Sequence, residues 1–499
     1  MAIGWCIPII LWLPTSDFIQ SVLIGAGILV AFGLADDLKN LGYKIKLVGQ
    51  ISAALVLVSH GNVLIRSFGS LIPIQFEGIV FESVSILLTL LVIIGVTNAI
   101  NLSDGLDGLA GGISMLCFVC IGFLAYKTEN TEISVMAIAI TGTIFGFLRF
   151  NTHPASVFMG DTGSQLLGFL AIAFSLQLTQ SDSPYSPILP LIIIGFPVLD
   201  TLVVMTERIA KGHSPFVADK NHFHHKLIRL GFFHSEAVFI IYVLQACLVS
   251  SAYIFRFYSE WFLLIVYCGF SGTIIAGFLL ADRASWQFKR YDLFDRVIKG
   301  RLKAIKEQNI AIKVSFRILK YGLPTLFFLT CFIPSAMPLY LPVIALIFIF
   351  LIVWIRLFVI EFLGSVIRLS LYLIIPFLAY IAEIDIASWL NSQVFTVYNI
   401  SFGVLTIFVI FTLKFTRRTK GFKTTPMDFL ILFIALIGPN LADLNIETFN
   451  LGMLTVRVII FLFSYEVLIG ELRKEYDGLA LSTVLALMIL AVRGIHFNL

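Results

Sequence analysis

Runs of apolar residues, each about as long as the ~20 residues a helix needs to cross a bilayer, follow one another along almost the whole chain. That repetition limits the fold more than any other feature of the sequence. The first group lies near Phe18–Leu34, Leu47–Ile65, Val84–Ile100, Leu109–Tyr126, Ile133–Phe150, Ser164–Leu178, Ile188–Met205, Ala237–Phe255 and Trp261–Leu280. A second group lies near Leu323–Ile333, Tyr340–Val359, Ser365–Ala382, Val394–Lys414, Phe429–Leu441, Leu451–Ile469 and Leu479–Val492. With 59% hydrophobic residues and a mean hydropathy of +0.98, the chain is excluded from the soluble globular class. The expected fold is an all-α polytopic integral membrane protein, a multi-span helical bundle. Trp5–Leu13, closed by Pro14, has no basic flank and is too short for a full span. The six cysteines sit in or beside apolar runs, so Cys117 and Cys120 are expected as buried free thiols despite their C-x-x-C spacing.

The net charge of +4 matters through its distribution. If the loop after Leu34 is cytoplasmic, so by parity are 97–108, 149–163, 206–236 and 281–321. These carry Lys39, Lys44, Lys46, Arg149, Arg208, Lys211, Lys220, Lys226 and Arg229, as the positive-inside bias requires. The same face receives Asp36-Asp37, Asp104 and Asp107, Asp161, and His222, His224 and His225. A shared cytoplasmic-face site is the simplest account of that sorting. Between Asp282 and Lys320, eleven Lys or Arg stand against four Asp or Glu, interleaved with apolar side chains such as Trp286, Phe288 and Leu293. This pattern predicts a surface-lying amphipathic helix drawn to anionic lipid. The basic KFTRRTKGFK at Lys414–Lys423 falls on the same side. Glu361, Asp385, Asp443 and Glu466 lie near predicted helix ends, where carboxylates are ordinary.

Four stretches carry chemistry. Asn98–Gly112 reads NAINLSDGLDGLAGG and interrupts apolar sequence with two aspartates three apart, each followed by glycine. At the end of the first span, the adjacent Asp36 and Asp37 repel one another unless a cation or a shifted proton relieves them; Lys39 and Lys46 follow closely. In NTHPASVFMGDTGS, from Asn151 to Ser164, Asp161 stands at the start of a span, where a cation and phosphate oxygens can both be held. A fourth segment, SPFVADKNHFHHKL, puts three histidines within four positions among lysines, which suits an anionic phosphate or sugar phosphate better than zinc.

These motifs, in this order, resemble the polyprenyl-phosphate N-acetylhexosamine-1-phosphate transferases, which are related to the phospho-N-acetylmuramoyl-pentapeptide transferases. The resemblance runs from about Phe18 to Leu280. It implies an enzyme that transfers N-acetylhexosamine 1-phosphate from a UDP-N-acetylhexosamine to undecaprenyl phosphate, releases UMP and starts a cell-envelope polysaccharide. The histidine segment resembles the branch that uses UDP-N-acetylglucosamine. Mg²⁺ is the implied cofactor, with Mn²⁺ as an alternative. By resemblance Asp161 is the main metal ligand, Asp36 deprotonates the lipid phosphate with Asp37 beside it, and Asp104 and Asp107 help hold metal or nucleotide. Asn98, Asn101 and Asn151 are implied on the substrate, Lys39 and Lys46 on the lipid phosphate, and His222, His224 and His225 on the pyrophosphate or sugar. The implied setting is the bacterial inner membrane among its lipids, with no nucleic-acid partner and with a homodimer as a further expectation.

Two departures from the family pattern follow. Members begin with a further span and a loop rich in His, Pro and Gly, so Met1–Pro14 resembles the remnant of a second span, of a chain either started too late or truncated. The domains expected are 1–280 for the transferase, 281–321 for a basic linker and 322–499 for a further multi-span region that the transferase does not need. The rival classes are a transporter or lipid flippase, which needs carboxylates near mid-span, and an inactive scaffold on the transferase fold.

Overall fold

The computed structural model of the chain describes residues 1–39, 42–72, 79–181, 183–212, 214, 221–284, 286, 310–384, 391–415, 451–472 and 475–498. Every helix and turn among them belongs to an all-α architecture, and ten helices are long and apolar enough to cross a membrane. The chain is a multi-pass membrane protein made of two compact units, whose described parts are residues 1–286 and 310–498. Most of the expected amphipathic linker, nearly all of Lys414–Lys423, the run at Phe429–Leu441, and Lys220, Asp385 and Asp443 lie outside the described residues.

The first unit contains α1 (Ala2–Trp12), α2 (Asp17–Lys39), α3 (Tyr43–Ser59), α4 (Ile79–Leu102), α5 (Leu109–Lys127), α6 (Thr131–Asn151) and α7 (Gly160–Gln180). After these come the short α8 (Leu189–Ile193), α9 (Gly195–Ala210), α10 (Phe223–Arg229), α11 (His234–Ile254) and α12 (Glu260–Arg283). At the centre is α7, almost wholly buried and packed on α2, α4, α5 and α8. Small residues let its neighbours come close, the usual means of helix association where lipid offers no hydrophobic drive. A methyl group on Gly33 of α2 would lie 2.6 Å from Thr162 Cα, and one on Gly168 would lie 2.7 Å from Thr97 Cα of α4. The N-terminal α1 is a packed helix: Trp5 is fully buried and donates its indole N–H to Met136 O of α6 at 3.2 Å.

Two expected spans differ from the observed helices, and in both, side chains bond the backbone that leaves the helix. The run Leu47–Ile65 is helical only to Ser59, and the non-helical chain beyond it is tied to α4. Thr89 Oγ1 accepts from Ile65 N at 2.9 Å, and Ser85 Oγ donates to Ile65 O at 2.6 Å. The run Ile188–Met205 is broken between α8 and α9. Pro197 has no N–H to give the carbonyl four residues earlier, and that carbonyl, Ile193 O, instead accepts from Gln245 Nε2 of α11 at 2.6 Å. Gln245 Oε1 in turn accepts from Phe196 N at 3.3 Å, and Tyr267 OH donates to Gly195 O at 3.0 Å. A broken helix at membrane depth stands only where side chains satisfy its freed backbone groups, and Gln245 does this. Cys117 joins the same knot, donating to Ile193 O, and both Cys117 and Cys120 are buried free thiols.

The second unit contains α13 (Ile310–Thr330), α14 (Tyr340–Phe358), α15 (Leu363–Ile384), α16 (Ser392–Phe415), α17 (Leu451–Glu471) and α18 (Asp477–Asn498), packed around a core of Leu, Ile and Phe. Two ion pairs cross between α15 and α17. Arg368 Nε meets Glu466 Oε2 at 2.8 Å, and Arg457 Nη1 meets Glu383 Oε2. Glu466 is buried and paired inside the bundle, so it is no ordinary helix-end carboxylate.

Candidate functional site

The site begins where α2 touches α7. Gly33 and Asp36 lie three residues apart, on one face of α2, and the Gly33 contact brings that face against the first turn of α7. Asp36 is thereby buried at 5% exposure next to Asp161, the second residue of α7. Asp37 meets the same first turn of α7 and takes up the free N–H groups that every helix start leaves over. Its Oδ1 accepts from Asp161 N at 3.0 Å, and its Oδ2 accepts from Thr162 N at 3.3 Å and Thr162 Oγ1 at 2.6 Å. Gly160, at φ +65°, lets the chain enter α7 past this carboxylate, since a Cβ there would lie 2.7 Å from Asp37 Oδ2. Asp37 is therefore a positioning residue for Asp161 in this structure.

Lys46, in the first turn and a half of α3, closes the cluster. Its ammonium lies 2.7 Å from Asp36 Oδ2 and 2.7 Å from Asp161 Oδ2. Behind it a chain of buried amides fixes the acids. Gln165 Nε2 donates to Asp161 Oδ2 at 3.4 Å, Gln50 Nε2 donates to Gln165 Oε1 at 3.3 Å, and Gln50 and Asn98 form a reciprocal amide pair at 3.2 and 2.9 Å. Asn101 Oδ1 accepts from Ser164 Oγ at 2.6 Å. Asn98 and Asn101 thus reach the site through other side chains. Lys39 is exposed at the last residue of α2.

The turn between α4 and α5 forms a second wall. Asp104 is partly buried, and that burial, together with the charges of Asp161 and Asp107, pushes its carboxyl up to about 7. Asp107 turns away from this cluster. Its Oδ2 meets His153 Nδ1 at 2.7 Å and accepts from Ala155 N at 3.2 Å, while its own N–H donates to His234 Nε2 at 2.9 Å. Burial opposes its ionisation, but these bonds and the neighbouring histidines hold its carboxyl below the usual range. The His153 and His234 rings stack with centroids 4.2 Å apart. Asn151 fastens this wall, with Oδ1 accepting from Gly108 N at 3.0 Å and Nδ2 donating to Val157 O at 2.9 Å.

The histidines at the start of α10 complete the arrangement. His222 Nδ1 lies 3.0 Å from Asp200 Oδ2 of α9, whose Oδ1 accepts from Phe223 N at 2.8 Å; both side chains are buried. His224 packs on Gly105, where even a methyl group would collide with its Nε2. Burial and the adjacent His225 push His224 down to about 4, so it is neutral at physiological pH. Lys226 is held by Glu207 at 2.5 Å and lies over the Phe223 ring, so it is not the free cation that its place beside the histidines suggests.

The four sequence motifs therefore meet at one end of the first unit. Asp36, Asp161 and Lys46 touch directly, Asp104 is their acidic neighbour, and Asp107 belongs to a separate histidine cluster. Among the described residues, two side-chain sets bring candidate ligand atoms within 4.8 Å of one another: Asp36, Asp37 and Asp161, and Asp107, His153 and His234. The first fits a hard divalent cation. Its donors are all carboxylate oxygens, a cationic group already bridges two of them, and Asp36 Oδ1 is buried with no hydrogen-bond partner. In the second, one nitrogen of each imidazole is already engaged with Asp107.

Comparison with known proteins settles the family. The profile of glycosyl transferase family 4 matches residues 19–179. The "Probable undecaprenyl-phosphate N-acetylglucosaminyl 1-phosphate transferase" of Bacillus subtilis (strain 168) is 35% identical over 253 residues, which are 50% of this chain and 70% of that protein. The "Undecaprenyl-phosphate alpha-N-acetylglucosaminyl 1-phosphate transferase" of Escherichia coli (strain K12) is 32% identical over 289 residues, 56% of this chain and 76% of its own length. The "Decaprenyl-phosphate N-acetylglucosaminephosphotransferase" of Mycobacterium leprae (strain TN) is 35% identical over 251 residues, 46% and 62% of the two chains. The chain belongs to glycosyl transferase family 4. The family 4 profile spans every acid of the cluster from Asp36 to Asp161, whereas His222, His224 and His225 lie beyond it.

Several site residues escape a reading of the sequence alone. Gln50 and Gln165 are single amides inside apolar runs, and His153, Asp200 and His234 are lone polar residues without repeating spacing. The only signal for Asp200 is a carboxylate inside the hydrophobic run FPVLDT, which is costly unless it is paired.

Proposed function

We propose that this family 4 chain transfers N-acetylglucosamine 1-phosphate from UDP-N-acetylglucosamine to undecaprenyl phosphate and releases UMP. The observation that carries the reading is the Asp36–Lys46–Asp161 cluster at one end of the first unit, in a chain whose similar relatives bear that activity in their names. In this reaction an oxygen of the lipid phosphate attacks the sugar-linked phosphorus, and the anhydride bond to UMP breaks. The product is a lipid-linked diphosphate sugar.

Both substrates are polyanions, so the site has to hold their charge together while screening it from its own acids. Asp36 has one buried oxygen without a partner and can accept the proton of a monoanionic lipid phosphate. Lys46 provides a cation at the same point. Asp161 and Asp36 are the residues that would hold Mg²⁺, with Asp104 beside them and Asp37 keeping Asp161 in place. When bound, the ion neutralises charge on the phosphate oxygens in the transition state. His222, oriented by Asp200, and the neutral His224 offer hydrogen bonds to the sugar phosphate. The positive-inside bias supports a cytoplasmic face for this site in the inner membrane. Placement of the acids in the last turn of α2 and the first turn of α7 favours this reading over ion relay at mid-span.

Purified protein given UDP-N-acetylglucosamine, undecaprenyl phosphate and Mg²⁺ is expected to release UMP. Asp161→Asn is expected to lower the rate by about two to three orders of magnitude. Folded protein that releases no UMP from any UDP-N-acetylhexosamine would refute the activity.

A further inference from the structure

Lys46 holds the place that a divalent cation would take. Its ammonium lies 2.7 Å from one oxygen each of Asp36 and Asp161, the distance of charge-assisted hydrogen bonds. The two acids have little freedom to move apart. Asp36 has 7% of its side chain exposed, and Asp161 is held by Gln165 and by the Asp37 contact to its own N–H. Lys46 is the mobile partner, with 31% of its side chain exposed and a flexible four-carbon stem. A divalent ion and an ammonium cannot share one pair of oxygens without strong repulsion, so whichever binds must exclude the other.

We propose that Lys46 is a resident counter-ion that exchanges with the divalent cation, so that cation entry frees its ammonium for an incoming phosphate. The inference rests on the reading of Asp36 and Asp161 as cation ligands. Exchange keeps two close carboxylates neutralised before any ion arrives, and it makes the cation and the phosphate substrate favour one another's binding. Such coupling is reciprocal. Lys46 is then a positioning residue whose substitution has opposite effects on the two ligands.

The test uses full-length protein in detergent, without nucleotide or lipid, with binding of Mn²⁺ followed by the loss of its free-ion EPR signal. Lys46→Met is expected to bind Mn²⁺ about tenfold tighter than the wild type, within the ordinary range of coupling between sites. Asp161→Asn is expected to lose that binding. Equal or weaker Mn²⁺ binding by Lys46→Met, with the Asp161→Asn loss intact, overturns the exchange while leaving the cation site standing. Absence of any Mn²⁺ binding sensitive to Asp161→Asn removes the cation reading, and the exchange with it. A second measurement needs no variant: acetylation of Lys46 in the wild type, followed by mass spectrometry, is expected to speed up severalfold when Mg²⁺ is added. Unchanged or slower labelling overturns the proposal.

Discussion

Asp104 shows how the cluster shapes the chemistry of one side chain. Burial and the charges of Asp161 and Asp107 raise its carboxyl to about 7, so it is neutral below that pH and charged above it. If its charge helps to hold the cation, kcat/KM is expected to rise with pH through about 7, and Asp104→Asn is expected to flatten that limb, as pH–rate profiles of the two proteins would reveal. The stability effect has the opposite sense. A carboxyl raised in the folded state contributes stability that is full below its unfolded value near 4 and is lost as pH rises through about 7. Metal-free Asp104→Asn is therefore expected to melt a few degrees above the wild type at pH 8, with the gap closing towards pH 5. His224 sits at the other extreme. Pushed down to about 4 by burial and His225, it can offer a neutral hydrogen bond but no charge to a phosphate.

At the scale of elements, the site depends on how closely α2 and α7 approach. The Gly33 contact is with backbone, Thr162 Cα and N, which cannot rotate aside as a side chain could. Gly33→Ala is expected to separate the helices and draw Asp36 and Asp37 off the start of α7, lowering kcat on the order of a hundredfold, the usual cost of a misplacement of about 1 Å. Circular dichroism should meanwhile report an intact helical fold. A fall of less than about threefold would mean that this contact does not set the acids. The acids themselves are legible in the sequence because charge inside apolar runs has to be explained, and Asp36, Asp104 and Asp161 do meet. What keeps them in place is not legible. Gly33 looks like any small residue of a span, and Gln50 and Gln165 look like scattered polar residues until their amides are seen to run in a chain to Asp161. The break between α8 and α9 is hidden similarly, since its cause is Pro197 but its remedy, Gln245, comes 48 residues later along the chain.

At the scale of the whole molecule, the two compact units allow stability and transfer to be separated. Arg457 of α17 is 1% exposed. It is paired with Glu383, donates to Asn399 Oδ1 at 3.2 Å and lies over the rings of Phe395 and Tyr398. Removing one partner of a buried pair leaves the other charge uncompensated, at a cost of about 3–5 kcal/mol, whereas replacing both by apolar residues is often nearly neutral. Arg457→Leu is therefore expected to lower the melting temperature of the protein in detergent, and the double replacement Arg457→Leu with Glu383→Leu is expected to recover much of the loss. Neither residue belongs to the unit that carries Asp36, Lys46 and Asp161, so UMP release per folded molecule is expected to match the wild type in both variants. A selective loss of UMP release in Arg457→Leu, at a temperature where the protein remains folded, would instead show that the second unit takes part in the transfer reaction. The double replacement decides which group is responsible: a loss that persists there comes from the missing guanidinium, and one that disappears comes from the stranded carboxylate.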